Sequence, residues 1–443
     1  MKSIDNAVEK HRRLILDAEK AIWRTPETGY REYKTSAYLA GKFEALGYKL
    51  TYADGIPGFY TVIDTNKPGP EILIFAELDS IICPEHSDAD PETGAVHSCG
   101  HNAQCATLIG IAAALKEDGA LDGLSGRIRL CAVPAEELLE IEYRTTLKRS
   151  GKIKYLGGKS EFLSRGYLDG VDMAFMVHTA TAFSVVLGEV GCVTKNIIYK
   201  GRASHAGGAP WGGINALYAA SCGINAVNAI RETFKDTDCV RVHPIITSGG
   251  AMVNAIPERA VLESYVRGKT YEVITETNTK VNRALIGAAL SLGANIEIID
   301  TPGYAPLVND KGMISAARDA AELIIPDESF EFFDRYSTGS TDMGDISCIM
   351  PTVHLYARGS KGKPHGNDYE ICDPDAACVK SAKWQLAIIR LLLENEAERA
   401  KKIIADFKPR FSSKQEFLEY QDSLNSSGDR IDYAEDGIAK IRL

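Results

Sequence analysis

The stretch Val96-His97-Ser98-Cys99-Gly100-His101-Asn102 places a thiol and an imidazole two residues apart, with one glycine between them. A long run of small and apolar residues follows, from Ala103 to Leu115, and predicts a buried helix. Two metal ligands held in a tight turn at the start of a helix fit this arrangement. A single Cys-x-His pair more often marks a buried cysteine beside a structural histidine. The prediction of a metal site therefore depends on ligands elsewhere in the chain.

Further possible ligands follow predicted strands. Asp79 comes after the apolar run 71–76, Glu136 and Glu137 come after the run 126–133, and the run 171–178 ends at His178. His365 lies in a loop after a later strand. Alternation of strands and helices predicts an α/β fold with a mostly parallel central sheet flanked by helices. Ligands at the carboxyl ends of parallel strands gather at one edge of the sheet, so we expect these side chains to lie near the Cys-Gly-His turn.

The adjacent pair Glu136-Glu137 indicates hydrolytic chemistry. Hydrolysis of a stable amide needs a metal that polarises the carbonyl and lowers the pKa of a water molecule. A separate carboxylate must take the proton of that water and pass it to the leaving amine. Two consecutive glutamates after a strand can divide these tasks. Two surface acids in a loop are the plain alternative, but Pro134 and Ala135 extend an apolar strand directly into the pair.

The composition is that of a soluble globular protein with more than one domain. The chain has 443 residues, of which 45% are hydrophobic and 25% charged, and this length predicts about two to three domains. The net charge of −10 is spread over interspersed acids and bases, which disfavours a nucleic-acid partner. No apolar run is long enough to cross a membrane, and the first 13 residues lack the apolar core of a signal peptide. Scattered cysteines inside apolar segments are typical of reduced thiols, so we expect a cytoplasmic protein.

The pattern along the chain divides it into three parts. Residues 1–187 and 304–396 are predicted to form one catalytic domain. Residues 188–303 show the βαββαβ order of a ferredoxin-like α+β unit and are predicted to be an inserted domain, called the inserted unit below. Residues 397–443 form a charged C-terminal extension without a clear core pattern. Within the first domain, the charged segment 138–159 has no clear period and is predicted to be a surface excursion.

Six motifs in order carry a family resemblance. They are Glu77-Leu78-Asp79, His97 to Asn102, Pro134-Ala135-Glu136-Glu137, Gly201-Arg202-Ala203-Ser204-His205-Ala206, Asn254-Ala255-Ile256-Pro257 and His365-Gly366-Asn367. Together they resemble the di-metal aminoacylases and carboxypeptidases, in particular the auxin-conjugate, hippurate and aminobenzoyl-glutamate hydrolases. The loop Gly339 to Asp345 looks most like the aminobenzoyl-glutamate and β-alanyl-dipeptide branch. The resemblance spans about residues 5 to 395.

This resemblance implies a function and a set of roles. The implied cofactors are two divalent metal ions, Zn²⁺ or Mn²⁺, bridged by Cys99. The implied substrate is a small amide with a free carboxylate, and the implied assembly is a homodimer formed through the inserted unit, which also acts as a lid. In the implied metal centre, His101 and His178 complete one metal site, and Glu137 and His365 complete the other. Glu136 is the implied general base, and Asp79 orients a ligand imidazole. His205 stabilises the oxyanion, often from the partner subunit, and Asn254 and Arg267 hold the substrate carboxylate.

The chain departs from the family pattern around the expected substrate pocket. The usual Asp-Ala-Leu-Pro turn is replaced at residues 79–84, Asn102 replaces an Asp that often follows the Cys-Gly-His turn, and the segment 138–159 is longer than usual. These departures bear on the identity of the substrate rather than on the mechanism. Of the remaining histidines, His97 is predicted to support the metal ligands, and His86 is predicted to lie on the surface.

Three alternatives to an N-acyl amino acid hydrolase stay open at this point. A dipeptidase acting on unmodified peptides would need an acid in the pocket that recognises an amine, and the sequence does not locate one. A catalytically silent relative would bind a ligand or a partner. A cysteine hydrolase would use Cys99 as its nucleophile, but this leaves the Glu136-Glu137 pair without a role.

Overall fold

The computed structural model describes residues 2–434 and 438–443. The helices of the described residues are α1 Lys2–Lys10, α2 Arg12–Trp23, α3 Tyr33–Ala45, α4 His101–Ala114, α5 Ile141–Arg149, α6 Gly158–Ser164, α7 Ala216–Ala229, α8 Tyr271–Ser291, α9 Lys311–Ile324, α10 Met343–Ser347, α11 Ser381–Leu393, α12 Glu398–Asp406 and α13 Lys414–Ser423. A π-helical segment, Asp375–Lys380, precedes α11. Among the described residues, no helix is both long enough and apolar enough to span a membrane.

The longer strands are β1 Phe59–Asp64, β2 Glu71–Glu77, β3 Arg127–Val133, β4 Met173–Ala180, β5 Phe183–Glu189, β6 Gly191–Lys200, β7 Ile245–Ser248, β8 Arg259–Gly268, β9 Asn295–Pro302, β10 Phe330–Ser337 and β11 Thr352–Arg358. Strands of two or three residues complete the sheets and hairpins: 51–52, 81–82, 95–96, 204–205, 241–242, 255–256, 307–308, 360–361, 370–371, 431–433 and 439–441.

The central sheet is parallel in the middle and mixed towards its edges. Its strand order is β1-β3-β2-β4-β11-β5, with β10 beside β5. The pairs β3–β2, β2–β4 and β4–β11 are parallel, whereas β1–β3 and β11–β5 are antiparallel. The predicted α/β fold is confirmed, but the sheet is mixed rather than mostly parallel. The strands β5 and β10, which the sequence reasoning missed, pair with each other in parallel.

Both faces of the central sheet are covered. Every residue of β2 is buried, because Ile72 and Ile74 point into one core and Leu73 and Phe75 into the other. A continuous apolar run is the pattern expected for a parallel strand with helices on both sides. The helix α4 is buried along its whole length and packs against β2 and β4. This packing fixes the first residue of α4, His101, at the carboxyl edge of the sheet.

A second sheet lies within residues 188–303. Its order is strand 241–242, β8, β6 and β9, and β7 also pairs with β8. Its pairs are antiparallel, and α7 and α8 pack together against it. The order of these elements along the chain is the βαββαβ order predicted from the sequence. The role of this unit as a lid and dimerisation domain stays a prediction.

The predicted surface excursion at residues 138–159 is exposed only in part, because residues 149–152 face solvent and residues 155–159 are buried. Arg144 and Lys159 are buried, with exposed fractions of 1% and 0%. Arg144 donates hydrogen bonds to the carbonyls of Leu156 and Glu137 and so braces the segment that follows β3. Other charges of the segment, such as those of Glu142 and Lys154, face solvent, so the segment mixes buried and exposed charged residues.

The C-terminal residues contribute to the cores despite their charged sequence. Phe417 on α13 is fully buried against the second face of the central sheet, and Ile431 is buried in the core of the inserted unit. The absence of a clear core pattern in the sequence therefore did not mean the absence of packing. Residues 435–437 of the predicted extension lie outside the described residues.

Candidate metal centre

Six side chains meet at the carboxyl edge of the central sheet and are called the strand-end cluster: Cys99, His101, Glu136, Glu137, His178 and His365. Within it, Cys99, His101 and His178 offer ligand atoms that lie within 4.8 Å of one another, and so do Cys99, Glu137 and His365. Cys99 Sγ lies 3.3 Å from His178 Nε2, and His365 Nε2 lies 2.8 Å from Glu137 Oε1. Cys99 thus belongs to two neighbouring sets of possible ligands.

Glycine is required in the turn that presents Cys99 and His101. Gly100 has a φ of 88°, in the left-handed region that favours glycine. A Cβ atom at this position would lie 2.0 Å from Thr179 Oγ1 and 2.4 Å from the Tyr369 hydroxyl oxygen. The turn can therefore approach the end of β4 only because residue 100 has no side chain.

Two other residues at the cluster have strained backbones. Ala135, just before Glu136, has a φ of 59°, and its N–H donates to Glu32 Oε1 at 2.7 Å. His365 has a φ of 64°, and its N–H donates to the Ser98 carbonyl at 2.8 Å. Left-handed conformations are costly for residues other than glycine and persist where surrounding contacts hold them. The backbone of Ala135 is thus fixed to Glu32, and that of His365 to the residue before Cys99.

His101 has acids on both sides of its ring. Its Nδ1 lies 3.2 Å from Asp79 Oδ1 and 2.9 Å from the Asp79 carbonyl, and its Nε2 lies 3.2 Å from Glu77 Oε2. Burial alone would lower the pKa of His101, but the carboxylates of Glu77 and Asp79 outweigh this and raise the pKa to about 9. Nε2 is buried, and no described residue forms a hydrogen bond with it. A divalent cation bound by thiolate, imidazole and carboxylate groups fits this donor set.

Asp79 connects His101 to the glutamate pair. The side chain of Asp79 is fully buried, and its Oδ2 accepts a hydrogen bond of 2.8 Å from the Glu137 N–H. One carboxylate therefore contacts the ring of His101 and the backbone of Glu137. This is the position in which an acid can orient a ligand imidazole.

The two adjacent glutamates have opposite electrostatic environments. Burial, Glu77 and Glu137 hold the pKa of Glu136 well above its usual value. Burial also acts to raise the pKa of Glu137, but His365 outweighs it and holds this pKa below its usual range. Neighbouring acids whose pKa values are pushed apart are typical of sites with separate acid–base and charge-stabilising roles. Glu136 is suited to carry a proton, and Glu137 to remain an anionic ligand.

A buried ion network lies beneath the cluster and was not identified from the sequence. Lys159 Nζ lies 2.5 Å from Glu77 Oε1 and also bonds Asp342, and all three side chains have an exposed fraction of 0%. Burial would lower the pKa of Lys159, but Asp342 and Glu77 raise it above the usual value. The sequence feature that could have indicated this network is the Gly157-Gly158 pair, which marks a close approach of the backbone. A Cβ atom on Gly158 would lie 1.6 Å from the Pro134 carbonyl oxygen. These glycines bring Lys159 close to the end of β3.

The predicted surface position of His86 is wrong. His86 has an exposed fraction of 7%, and its Nε2 lies 2.9 Å from the Tyr369 carbonyl. The Tyr369 hydroxyl in turn bonds Thr179, beside the Gly100 turn. His86 therefore packs behind the turn that presents Cys99. His97, predicted to support the ligands, is buried nearby, but neither of its ring nitrogens has a hydrogen-bond partner among the described residues.

The residues expected from the inserted unit divide into two groups. Arg267 lines the cavity at the strand-end cluster, and its Nη1 donates to the Thr338 carbonyl at 3.3 Å. His205 and Asn254 are exposed and lie together on the ribbon of strands 204–205 and 255–256, away from that cavity. His205 Nδ1 accepts hydrogen bonds from the N–H groups of Gly207 and Gly208. Within one chain, the structure brings Arg267 to the cluster but not His205 or Asn254.

A cavity of about 610 Å³ opens at the cluster. Cys99, Glu136, Glu137, His178 and His365 line one side of it, and Tyr265, Arg267 and Ser340 are among the residues that line the rest. Arg267 Nε, Tyr304 Oη and Ser340 Oγ are buried without a hydrogen-bond partner among the described residues. The volume is that of a site for a small molecule, and the unpaired polar atoms favour a polar ligand.

The chain is similar to known peptidases and amide hydrolases over most of its length. A family model described as peptidase family M20/M25/M40 matches residues 74–391. A Xaa-Arg dipeptidase of Mus musculus is 28% identical over 370 residues, which cover 80% of this chain and 77% of the relative. An indole-3-acetyl-aspartic acid hydrolase of Enterobacter agglomerans is 26% identical over 329 residues, covering 61% and 70%. A crystal structure of a dinuclear metal-binding M20 peptidase from Bacillus subtilis aligns with a TM-score of 0.62 at 20% identity, covering 86% of this chain and 98% of that one.

Proposed function

Because the chain belongs to peptidase family M20/M25/M40, we propose that it is a metal-dependent amidohydrolase that releases an amino acid with a free carboxylate from an acyl or aminoacyl group. The resemblance inferred from the six motifs is confirmed at the level of the family, and the chain is a hydrolase of amide bonds. The observation that supports the proposal most directly is the sharing of Cys99 between two sets of possible ligands, with Glu136 beside them.

The proposed cofactor is a pair of divalent metal ions, Zn²⁺ or Mn²⁺. His101 and His178 would hold one ion, Glu137 and His365 the other, and Cys99 both. Bound there, the ions would supply Lewis-acid chemistry, which polarises the scissile carbonyl and activates water. Burial, Glu137 and Glu136 hold the pKa of the Cys99 thiol well above its usual value in the metal-free chain. Metal binding at this residue therefore requires the loss of a proton.

The proposed roles of the remaining residues follow from their chemistry. Glu136 takes the proton of the attacking water and delivers it to the leaving amine, and its raised pKa suits both transfers. Asp79 keeps the ring of His101 in place. The guanidinium group of Arg267 binds the carboxylate of the substrate, because its planar donors match that group. His205 donates to the oxyanion, and Asn254 assists at the carboxylate.

We further propose that the protein is a homodimer formed through the inserted unit. This unit exposes large apolar side chains, among them Trp211, Tyr218, Met252 and Val253, which is 100% exposed. The residues of β7 are also exposed along the whole strand. Exposed apolar groups and open strand edges favour association with another chain. A dimer would let His205 and Asn254 act at the centre of the partner, while each chain supplies its own strand-end cluster.

The test is a substrate screen on protein freed of metal and reloaded with Zn²⁺ or Mn²⁺. N-acyl amino acids and dipeptides are supplied, and release of the free amino acid is measured. We expect turnover that is lost on chelation and restored by metal. Activity that survives exhaustive chelation but not alkylation would instead support Cys99 as a nucleophile. Absence of turnover by the metal-loaded protein would support a silent relative.

A matched pair of cysteine variants tests the ligand assignment. Cys99→Ala is expected to lower the bound metal, because the thiolate belongs to both proposed sites. Cys131→Ala removes another buried cysteine, from β3, and is expected to leave the metal content unchanged. Equal metal content in the two variants would contradict the proposed bridge.

A further inference from the structure

A third carboxylate lines the cavity at the strand-end cluster. Glu189 is the last residue of β5 and has an exposed fraction of 2%. Of the carboxylates that line the cavity among the described residues, Glu136 and Glu137 are assigned above to the metal centre. Glu189 is therefore the lining acid that the proposed mechanism does not use.

The carboxylate of Glu189 is only partly satisfied by its neighbours. Its Oε1 accepts a hydrogen bond from the Tyr356 hydroxyl and lies 3.5 Å from His354 Nδ1. No hydrogen bond reaches Oε2 from the described residues, and no lysine or arginine among them lies within 4 Å of the carboxylate. Burial would raise the pKa of Glu189, but His354 and Tyr356 outweigh it and lower the pKa, so this group is an anion. His354 and Tyr356 both lie at Oε1, so Oε2 is left for a cationic ligand in the cavity to pair with.

Oε2 of Glu189 lies beside Gly339, which has no side chain to fill the space that a ligand would need. A Cβ atom built on Gly339 would lie 3.4 Å from Oε2, and Gly339 itself lines the cavity. Arg267 bonds the carbonyl of the adjacent residue, Thr338. The loop that holds Thr338 and Gly339 therefore lies between the Glu189 carboxylate and the Arg267 guanidinium group, and both groups line the same cavity. Such a pair complements a ligand that carries charges of both signs, whereas a neutral N-acyl amino acid offers only its carboxylate.

We propose that Glu189 binds a positively charged nitrogen of the substrate and so makes the enzyme selective for amides that carry a cation in addition to the free carboxylate. This inference rests on the proposed function, because it concerns the substrate of the same site. The cation could be the free amine of an aminoacyl group, as in a dipeptide, or the basic side chain of the amino acid that is released. Glu189 thereby fills the place of the amine-recognising acid that the sequence alone did not locate.

The test compares three substrates that differ in charge. Glycyl-L-leucine carries an amine, Nα-acetyl-L-lysine carries a basic side chain, and acetyl-L-leucine, which is glycyl-leucine without the amine, carries neither. We expect the metal-loaded enzyme to prefer at least one of the cationic substrates. Glu189→Gln should lower kcat/KM for that substrate by about 10- to 100-fold, the effect of losing a charge-assisted hydrogen bond. Its kcat/KM for acetyl-leucine should stay within about threefold of the wild-type value.

The failure of this inference is distinguishable from that of the proposed function. If the wild-type protein hydrolyses none of the amides, the proposed function fails. Binding measurements then still test the inference. The affinities of glycyl-leucine, acetyl-lysine and acetyl-leucine are measured by calorimetry on the Glu136→Gln variant, with and without Glu189→Gln. Equal affinity for all three ligands, or an equal loss on all three substrates in Glu189→Gln, would overturn the assignment, because a structural role would not depend on the charge of the substrate.

Two control variants separate charge from packing. Tyr356→Phe removes the hydrogen bond to Oε1 and keeps the anion, so the preference for a cation should remain. Glu328→Gln makes the same chemical change outside the cavity, at a carboxylate that pairs with Arg358 and Lys380, and should leave the preference unchanged. Loss of the preference in the Glu328 variant would overturn the assignment, since a remote charge would then suffice. Metal content and melting temperature are measured for every variant.

Discussion

The strand-end cluster and the tip of the inserted unit, residues 204–206 and 252–256, differ in how far a single chain completes them. In the cluster, the rings and carboxylates contact one another; the side chain of His101 is 1% exposed and that of His365, at the rim, is 49% exposed. At the tip, His205 and Asn254 face solvent and contact mainly their own ribbon. The cluster is preorganised by strands that pack on both faces. The tip presents its side chains to solvent.

The surroundings of the cluster and the inserted unit that carries the tip also differ in a lysine that each of them buries. Lys159 bonds two carboxylates, those of Glu77 and Asp342, and Glu77 in turn contacts His101. Lys195 of the inserted unit bonds one carboxylate, that of Asp300. Burial lowers the pKa of Lys195, whereas the paired carboxylates raise the pKa of Lys159. The first lysine is thus tied to the proposed chemistry, and the second only to the packing of its sheet.

The largest effect is expected from Glu136→Gln. The variant keeps the shape of the side chain but cannot accept the proton of the attacking water, so kcat should fall by about 10³-fold. Metal content, measured by atomic emission, should remain at the wild-type level. Glu328→Gln serves as the control. Normal turnover by a metal-loaded Glu136→Gln protein would contradict the assignment of the base.

His205→Ala tests the other region and is expected to lower kcat by about 10²-fold, the effect of losing one oxyanion donor. Metal content should again stay unchanged, because His205 belongs to neither set of possible ligands and does not line the cavity within one chain. Mixing this variant with Glu136→Gln and letting the subunits exchange should restore activity if His205 acts in the partner's centre. No recovery in mixed dimers would show that the tip serves its own chain.

The two buried lysines provide a matched pair of variants. Lys159→Met leaves Glu77 and Asp342 without their cation, and we expect the metal affinity to fall by about 10-fold, as when a supporting contact of a metal ligand is lost. Lys195→Met leaves only Asp300 unpaired and should lower the melting temperature with no change in metal affinity. Both affinities are measured by competition with a chromophoric chelator. Similar losses of metal affinity in the two variants would remove the distinction between the regions.

The structural features that could be predicted from the sequence are those that depend only on neighbouring residues. The Cys99-Gly100-His101 turn, the helix after it and the strands before Asp79 and Glu136 each follow from local spacing and periodicity, and the structure has them at the expected places. Lys159 and Glu189 were missed for one physical reason. A charged residue becomes buried only where a distant part of the chain supplies its partner, as Asp342 does for Lys159 and Tyr356 for Glu189.

The strands β5 and β10 were missed for a related reason. The partner of Phe183 in the sheet is Phe330, so the pairing depends on how distant segments meet. The position of His205 also cannot follow from its motif, because the motif fixes the ribbon and not the centre that the ribbon approaches. Local chemistry was thus predictable from the sequence, whereas contacts between distant segments were not.

The smallest effect is a pH-dependent change in stability that arises in the cluster and not at the tip. The folded-state pKa of His101 is raised to about 9 in the metal-free chain, against about 6.5 when unfolded. The stabilisation from its ion pairs is therefore fully present below pH 6.5 and is lost as the pH rises to 9. Metal binding requires the unprotonated ring, so metal affinity rises over the same window. Calorimetric melting with and without Zn²⁺ should show a difference in Tm that widens by a few degrees between pH 6.5 and 9. His101→Asn should reduce this widening to the part that comes from the Cys99 thiol, whereas His205→Asn should retain it in full, because His205 makes none of these ion pairs.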